Sequence, residues 1–245
     1  MLNLRSAEDI EILRENNILV SQTLGEISKM IKPGVTTLEL DRRAEEFIRD
    51  HGAEPGFLGY GGFPNTLCTS VNDAVVHGIP SEHELKEGDI ISIDCGTKMK
   101  GFYGDSAYTF KVGEVDPHVE KLLEVTRQPL FEGIQKAIAG NRVVDVSNVI
   151  QTYAESHGFS VVREMVGHGL GENMHESPEV PNYGKQGRGP KLKEGLVICI
   201  EPMINMGSKN IKQDSDGWTI RTMDGKPSAH FELALAIQNG QADIL

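Results

Sequence analysis

Residues 90–110 read IISIDCGTKMKGFYGDSAYTF, and the fold turns on this stretch. β-Branched and small residues lead up to Asp94, Gly96 follows, and a second run containing Asp105 ends at Phe110. The pattern predicts a buried strand that becomes loop just past Asp94, a short connection, and a second strand carrying Asp105. An ionised carboxylate withdrawn from water costs several kcal/mol unless a cation or hydrogen-bond donors compensate. Two aspartates on one glycine-containing hairpin therefore point to a shared cation; the ordinary alternative is a pair of capping or turn residues.

Working outward, the chain predicts an α+β architecture. Ser6, with Asp9 three residues on, opens a helix over 6–31 that Lys32-Pro33-Gly34 closes, and Thr36 with Glu39 opens a second that stops at Gly52. Residues 56–64 (GFLGYGGFP) are expected as an ordered irregular loop, because flexible linkers seldom carry three aromatics; Leu67–Val71 and Ala74–Val76 read as short strands. Asp116-Pro117 opens a third helix, kinked or broken at Pro129 and resuming to Ile138, and Asp145 caps a fourth that ends at His157-Gly158.

The halves, about 1–115 and 116–245, echo each other. Gly34 and Gly140, and likewise Gly52 and Gly158, lie 106 residues apart, while Lys86-Glu87-Gly88 recurs 107 residues later as Lys193-Glu194-Gly195. A duplicated unit of two helices followed by strands predicts a curved antiparallel sheet covered by helices, with a pseudo-twofold axis that sets Asp94 opposite Glu201.

The second half supplies further ligand types. His168 stands between Gly167 and Gly169, Glu201 closes the apolar run ICIE before Pro202, and Glu232 sits in the strand-like AHFELALAI. Each has a structural alternative: Glu232 as a paired strand residue, His168 as a turn residue. Glu201 has few innocent partners at the end of an apolar run. Taken with Asp94 and Asp105 they make four carboxylates and one imidazole, an oxygen-rich set suited to paired Mn, Fe, Co or Zn ions, and two such ions sharing a water would make hydrolysis the natural use.

Gly167-His168-Gly169, His175 in MHESP, Ile200-Glu201-Pro202-Met203 and the stretch from Asp216-Gly217-Trp218-Thr219 through Ser228-Ala229-His230-Phe231-Glu232 resemble the type I methionine aminopeptidases of the pita-bread (creatinase/aminopeptidase) fold, across essentially the whole chain. The resemblance implies one catalytic domain over 1–245. It implies a metal-dependent aminopeptidase that removes the initiator methionine from nascent polypeptides by a hydroxide activated between two divalent ions. Asp94, Asp105, His168, Glu201 and Glu232 would be the metal ligands, with Asp105 and Glu232 bridging; Glu201 would shuttle the proton, and His77 and His175 would be catalytic histidines that contact substrate. Tyr60, Phe63, Cys68, Met174 and Trp218 would line the methionine pocket, with core packing the less favoured alternative for Tyr60 and Phe63.

Departures from the family pattern are Leu233-Ala234 where His-Thr is usual, Gly61 where a polar residue is common, and Glu172-Asn173-Met174. The first suggests altered surroundings of Glu232 more than lost activity. Alternatives are a prolidase or X-Pro aminopeptidase of the same fold, which usually carries a large extra N-terminal domain where this chain is expected to begin directly with the catalytic unit, and a non-catalytic pita-bread protein that binds peptides or the ribosome. The interval from Glu201 to Glu232 is too short for the inserted subdomain of type II enzymes, and no zinc-binding extension is expected.

Composition agrees. A formal net charge of −12 argues against DNA or general nucleic-acid binding. Three cysteines without metal-finger spacing, and the absence of a signal-like or membrane-spanning apolar run, predict a cytoplasmic monomer with free thiols and no membrane contact. Lys185, Arg188, Lys191 and Lys193 make a locally basic loop, read as a solvated loop in preference to a ribosome contact.

Overall fold

A computed structural model describes residues 2–245. Four helices form: α1 (Ala7–Ser28), α2 (Thr37–Asp50), α3 (Pro117–Ile134) and α4 (Val143–Ser156). Ser6 and Thr36 cap α1 and α2 through reciprocal bonds with Asp9 and Glu39. The cap of α4 is Arg142, three residues before the expected Asp145. The Asp145 carboxylate accepts from Arg142 N–H at the third helical position, which is the one half of such a box that an arginine cap allows, since its side chain has no acceptor. Pro129 does not break α3. Val125, Thr126, Pro129 and Leu130 are all buried, and this packing offsets the one backbone hydrogen bond that proline removes; the helix ends at Ile134, short of Ile138.

The hairpin also differs from expectation. Its strands are Ile90–Met99 and Phe102–Lys111, in register from Ile90↔Lys111 to Met99↔Phe102, and the turn is Lys100-Gly101 with both φ positive. Gly96 lies inside the first strand and does not end it. A Cβ there would stand 2.6 Å from Phe57 Cε1 and 2.8 Å from Met174 Cε, so the glycine makes room for these side chains.

The duplication is visible in the backbone. Gly34 and Gly140, Gly52 and Gly158, and Gly88 and Gly195 all adopt left-handed φ between 77° and 96°. Gly34 N–H donates to Leu85 O and Gly140 N–H to Leu192 O, while His51 and His157 each bring Nδ1 within 2.8 Å of a carbonyl four residues back. In the first half, Ile90–Met99 lies between Leu67–Val71 and Phe102–Lys111 and also pairs with Glu54–Pro55. In the second half, the five-stranded sheet runs Gln241–Ile244, Leu233–Gln238, Val197–Ile200, Gly167–Gly169, Glu176–Val180. One of two smaller sheets joins the halves, Ile220–Thr222 pairing with Ala74–Val76. Each half has its own apolar core under its helices, and a third cluster, including Phe57, Met174 and Cys199, fills the space between them. No helix among the described residues is long and apolar enough to cross a membrane.

Candidate metal centre and peptide pocket

Strand register decides where the carboxylates go. Asp94 pairs with Ala107 and Gly96 with Asp105, so positions 94, 96, 105 and 107 share one face and the two aspartates project to the same side as diagonal neighbours. From α1, Asn17 Oδ1 accepts from Asp105 N–H at 3.0 Å, fixing the strand beneath. The second half is fastened to this hairpin at Glu232, whose N–H donates to Ala107 O (2.9 Å) and whose carbonyl accepts from Ser106 Oγ (2.6 Å). Asn182 Nδ2 donates to Glu201 O at 2.9 Å as the chain leaves Val197–Ile200.

His168 closes the cluster. Its Nε2 stands 3.6 Å from Asp105 Oδ2 and 3.5 Å from Glu201 Oε1, while Nδ1 lies 3.0 Å from Gly169 O. That carbonyl selects the tautomer protonated at Nδ1 and leaves the Nε2 lone pair facing carboxylates. Its flanking glycines are required by packing. A Cβ on Gly167 would stand 2.4 Å from Cys199 O, and one on Gly169 2.5 Å from Ser177 O.

Asp94, Asp105, His168, Glu201 and Glu232 line one cavity of about 420 Å³, with His77, His175, Tyr60, Phe63, Cys68 and Trp218 on its other walls and no Lys or Arg. Burial pushes the Asp94 carboxyl up to about 6. Burial first, then repulsion among the carboxylates, pushes Asp105, Glu201 and Glu232 well above the ordinary range. Asp94 Oδ1, Asp105 Oδ1, Glu232 Oε1 and His230 Nε2 are buried without hydrogen-bond partners. Buried polar atoms left unpaired are exceptional, and four carboxylates with no cation side chain leave divalent metal as the partner that fits. Cys199 approaches Asp105, His168 and Glu232 within 4.8 Å. Burial and the nearby carboxylates keep its thiol protonated, so the usable donors are oxygen and imidazole.

His230 escaped the sequence reading of the site. It is 1 % exposed, with Nε2 3.5 Å from Glu201 Oε2 and 4.0 Å from Glu232 Oε2. The signal was there: His230 and Glu232 are two apart, the spacing that puts strand residues on one face.

The two other histidines reach the cavity by different routes. His77 has φ +59°, and the following Gly78 packs so closely that a Cβ would stand 2.1 Å from Thr69 O. Burial, aided by His230 and His175, lowers its pKa to about 4, so His77 is neutral at neutral pH. Burial also lowers His175, whose Nδ1 lies 2.9 Å from Tyr60 Oη.

On the apolar side, Phe63 meets Trp218 edge-on at 5.2 Å, and Asp216 places Trp218 by accepting from the N–H groups of Trp218 and Thr219. Phe57, Met165 and Met203 also line the cavity. Met174 does not; it is fully buried one layer behind, its Cε against Gly96 and Gly56. Leu233 and Ala234 line a second cavity of about 350 Å³ with Ser106, Phe131 and Glu232 itself, so they border Glu232 on the side away from the carboxylate cluster's cavity. The basic loop is tied to α4 through Arg142 Nη1 to Gly189 O, Gly187 N–H to Asp145, and Asn148 Nδ2 to Gly184 O.

Residues 11–238 match metallopeptidase family M24. A methionine aminopeptidase of Clostridium perfringens is 51 % identical over 100 % of this chain and 98 % of its own. The crystal structure of a methionine aminopeptidase from Rickettsia prowazekii superposes with a TM-score of 0.98 at 39 % identity, covering 100 % of this chain and 99 % of that one. A prolidase from Pyrococcus furiosus shares the fold at a TM-score of 0.82 and 21 % identity, with 98 % of this chain and 64 % of the prolidase covered.

Proposed function

The chain belongs to the methionine aminopeptidases of metallopeptidase family M24, and from that premise we propose that it hydrolyses the peptide bond following an N-terminal methionine, the initiator methionine of new polypeptides. The observation that carries this reading is the cavity itself, where four carboxylates and His168 with no cation side chain adjoin an apolar wall of Phe57, Phe63, Met203 and Trp218. Aromatic edges and sulfur suit a methionine thioether.

In this reading Asp94, Asp105, His168, Glu201 and Glu232 would hold two divalent cations (Co, Mn, Fe or Zn), and the whole of 1–245 is one catalytic domain. Such cations supply Lewis acidity toward a carbonyl oxygen and bring the pKa of a water toward neutrality. Glu201, already disposed to hold a proton, accepts one from the nucleophile and passes it to the departing amine. A neutral His77 and a neutral His175 each offer an N–H, one to the developing oxyanion and the other to the scissile amide nitrogen. If Tyr60 Oη donates to Nδ1 of His175, that imidazole presents Nε2–H to the peptide. Tyr60, Phe63, Cys68 and Trp218 confine the methionine side chain, and Met174 supports the wall from behind. The buried free thiols support a reducing, cytoplasmic setting, and the reading is completed by a monomer acting on peptide N-termini, with the basic loop serving α4 in preference to a ribosome.

Metal-stripped protein is titrated with Mn, Fe(II), Co and Zn, and methionine release from Met-Ala-Ser is followed beside a proline dipeptide. Release from Met-Ala-Ser alone, dropping by at least ~10²-fold in Glu201→Gln, is the expected result. Cleavage of the proline dipeptide in its place would make the protein a prolidase, and binding without cleavage a peptide-binding module.

A further inference from the structure

Glu176, immediately after His175, is held by a segment far away in the chain. Both its oxygens lie against Arg5 Nη2, at 2.6 and 2.5 Å; Oε2 also accepts from Asn3 Nδ2 (2.8 Å) and Oε1 from Asn173 N–H (3.1 Å). The Arg5 and Glu176 side chains are 10 % and 5 % exposed. Every other Arg or Lys ion pair among the described residues leaves both side chains at least 23 % exposed. Arg5 is itself fixed. Its N–H donates to Gly195 O at 2.7 Å, the preceding Leu4 bridges to Leu196, and the guanidinium carbon stands 5.6 Å from the Phe102 ring centre. Gly171 gives the guanidinium its space, since a Cβ there would come 1.9 Å from Arg5 Nη2, and Gly171 O accepts from Tyr103 N–H at 2.9 Å.

We propose that Arg5 and Glu176 are a positioning pair, a clasp by which the segment 3–5 holds loop 171–176 and so aims His175 at the peptide. The role given to His175 rests on the aminopeptidase reading. A buried ion pair is a weak source of net stability compared with apolar residues of the same shape. Orientation is another matter: about 1 Å of misplacement at a catalytic group can cost ~10²-fold in rate. The loop bears His175 at one end of its span and is anchored at Gly171, Asn173 and Glu176, with Met174 packed against Gly96 between them. Removing either charge therefore frees the segment next to the imidazole and leaves the carboxylate cluster untouched.

The test uses full-length Arg5→Gln, Glu176→Gln, the double variant and Arg5→Lys, each reloaded with Mn. Expected is a roughly 10- to 100-fold fall in kcat per folded molecule for Met-Ala-Ser in both single glutamine variants, with KM and bound Mn near wild type and a melting temperature lower in each single variant than in the double, because each single variant leaves one buried charge unpaired. The double variant should be no worse than either single one, and Arg5→Lys should recover much of the rate. Amide hydrogen exchange over 171–176 should speed up in the same variants and nowhere else. Unchanged kcat and unchanged exchange in Arg5→Gln would overturn the clasp, as would a fall in kcat that tracks lost metal or lost folded protein. If wild-type protein releases no methionine with any cation, the aminopeptidase reading fails, while exchange over 171–176 still decides whether the clasp orders the loop.

Discussion

His77 pairs an unfavourable backbone with a buried ring. A left-handed φ costs an ordinary side chain of order 1 kcal/mol or more, and Asn is among the residues that tolerate it best after Gly. The conformation aims the imidazole into the cavity, and no local hydrogen bond of the ring accounts for it. His77→Asn should accordingly melt within about 0.5 kcal/mol of wild type, while methionine release falls by ~10²-fold or more because the shorter carboxamide cannot place an N–H where the imidazole holds its own. Thermal unfolding and steady-state rates on the same preparation check both halves. At this scale the sequence was uneven. Glu201 was legible because an acid closing an apolar run has few innocent explanations, while Asp94, Asp105 and Glu232 each had an ordinary alternative and read as ligands only taken together. Arg5, Asn17 and Glu176 were not, because their significance lies in partners 88 to 171 residues away that no local pattern announces. His230 was legible in principle, from strand spacing alone.

At the scale of elements, glycines separate what the pattern revealed from what it concealed. Gly52 and Gly158 marked the ends of α2 and α4 correctly, since a left-handed turn just after a helix is a local requirement, whereas Gly34 and Gly140 stand beyond the last turns of α1 and α3. Gly96 misled, because a glycine that ends a strand and one that admits a neighbour's side chain look alike in sequence; only the packing of Phe57 and Met174 tells them apart. Pro129 misled for the related reason that tertiary burial outweighed a local preference. Two substitutions exploit the contrast. Gly96→Ala should destabilise by about 1–3 kcal/mol through overpacking, whereas Gly25→Ala should stabilise by up to ~1 kcal/mol, since it sits in α1 with no atom within 4 Å of the new methyl. Denaturant midpoints of the metal-free proteins measure both. Opposite signs are expected, and equal signs would mean that the strand relaxes around Gly96.

For the whole molecule, the duplicated fold gathers carboxylates from both halves into one cavity, and its stability should therefore depend on pH in a way that metal reverses. Without metal, Asp105, Glu201 and Glu232 keep protons in the folded state that the unfolded chain releases above the usual carboxylate range. Folded protein then binds more protons than unfolded, so stability falls as pH rises through the raised folded values. His77 and His168, lowered to about 4, act in the opposite direction, but only between about 4 and their unfolded pKa near 6.5, because above that they are neutral in both states. The clean window lies above pH ~6.5, where metal-free protein should lose stability with rising pH, at ~1.4 kcal/mol per pH unit for each carboxyl still protonated. Cations replace those protons, so Mn affinity should climb over the same range, and protons should be released on binding. Melting temperatures with and without Mn, with calorimetric titrations in buffers of different ionisation enthalpy, test the two statements together. A metal-free melting temperature that rises with pH above 6.5, or Mn binding without proton release, would mean that the carboxylates are already ionised in the folded chain and that another cation partner balances them.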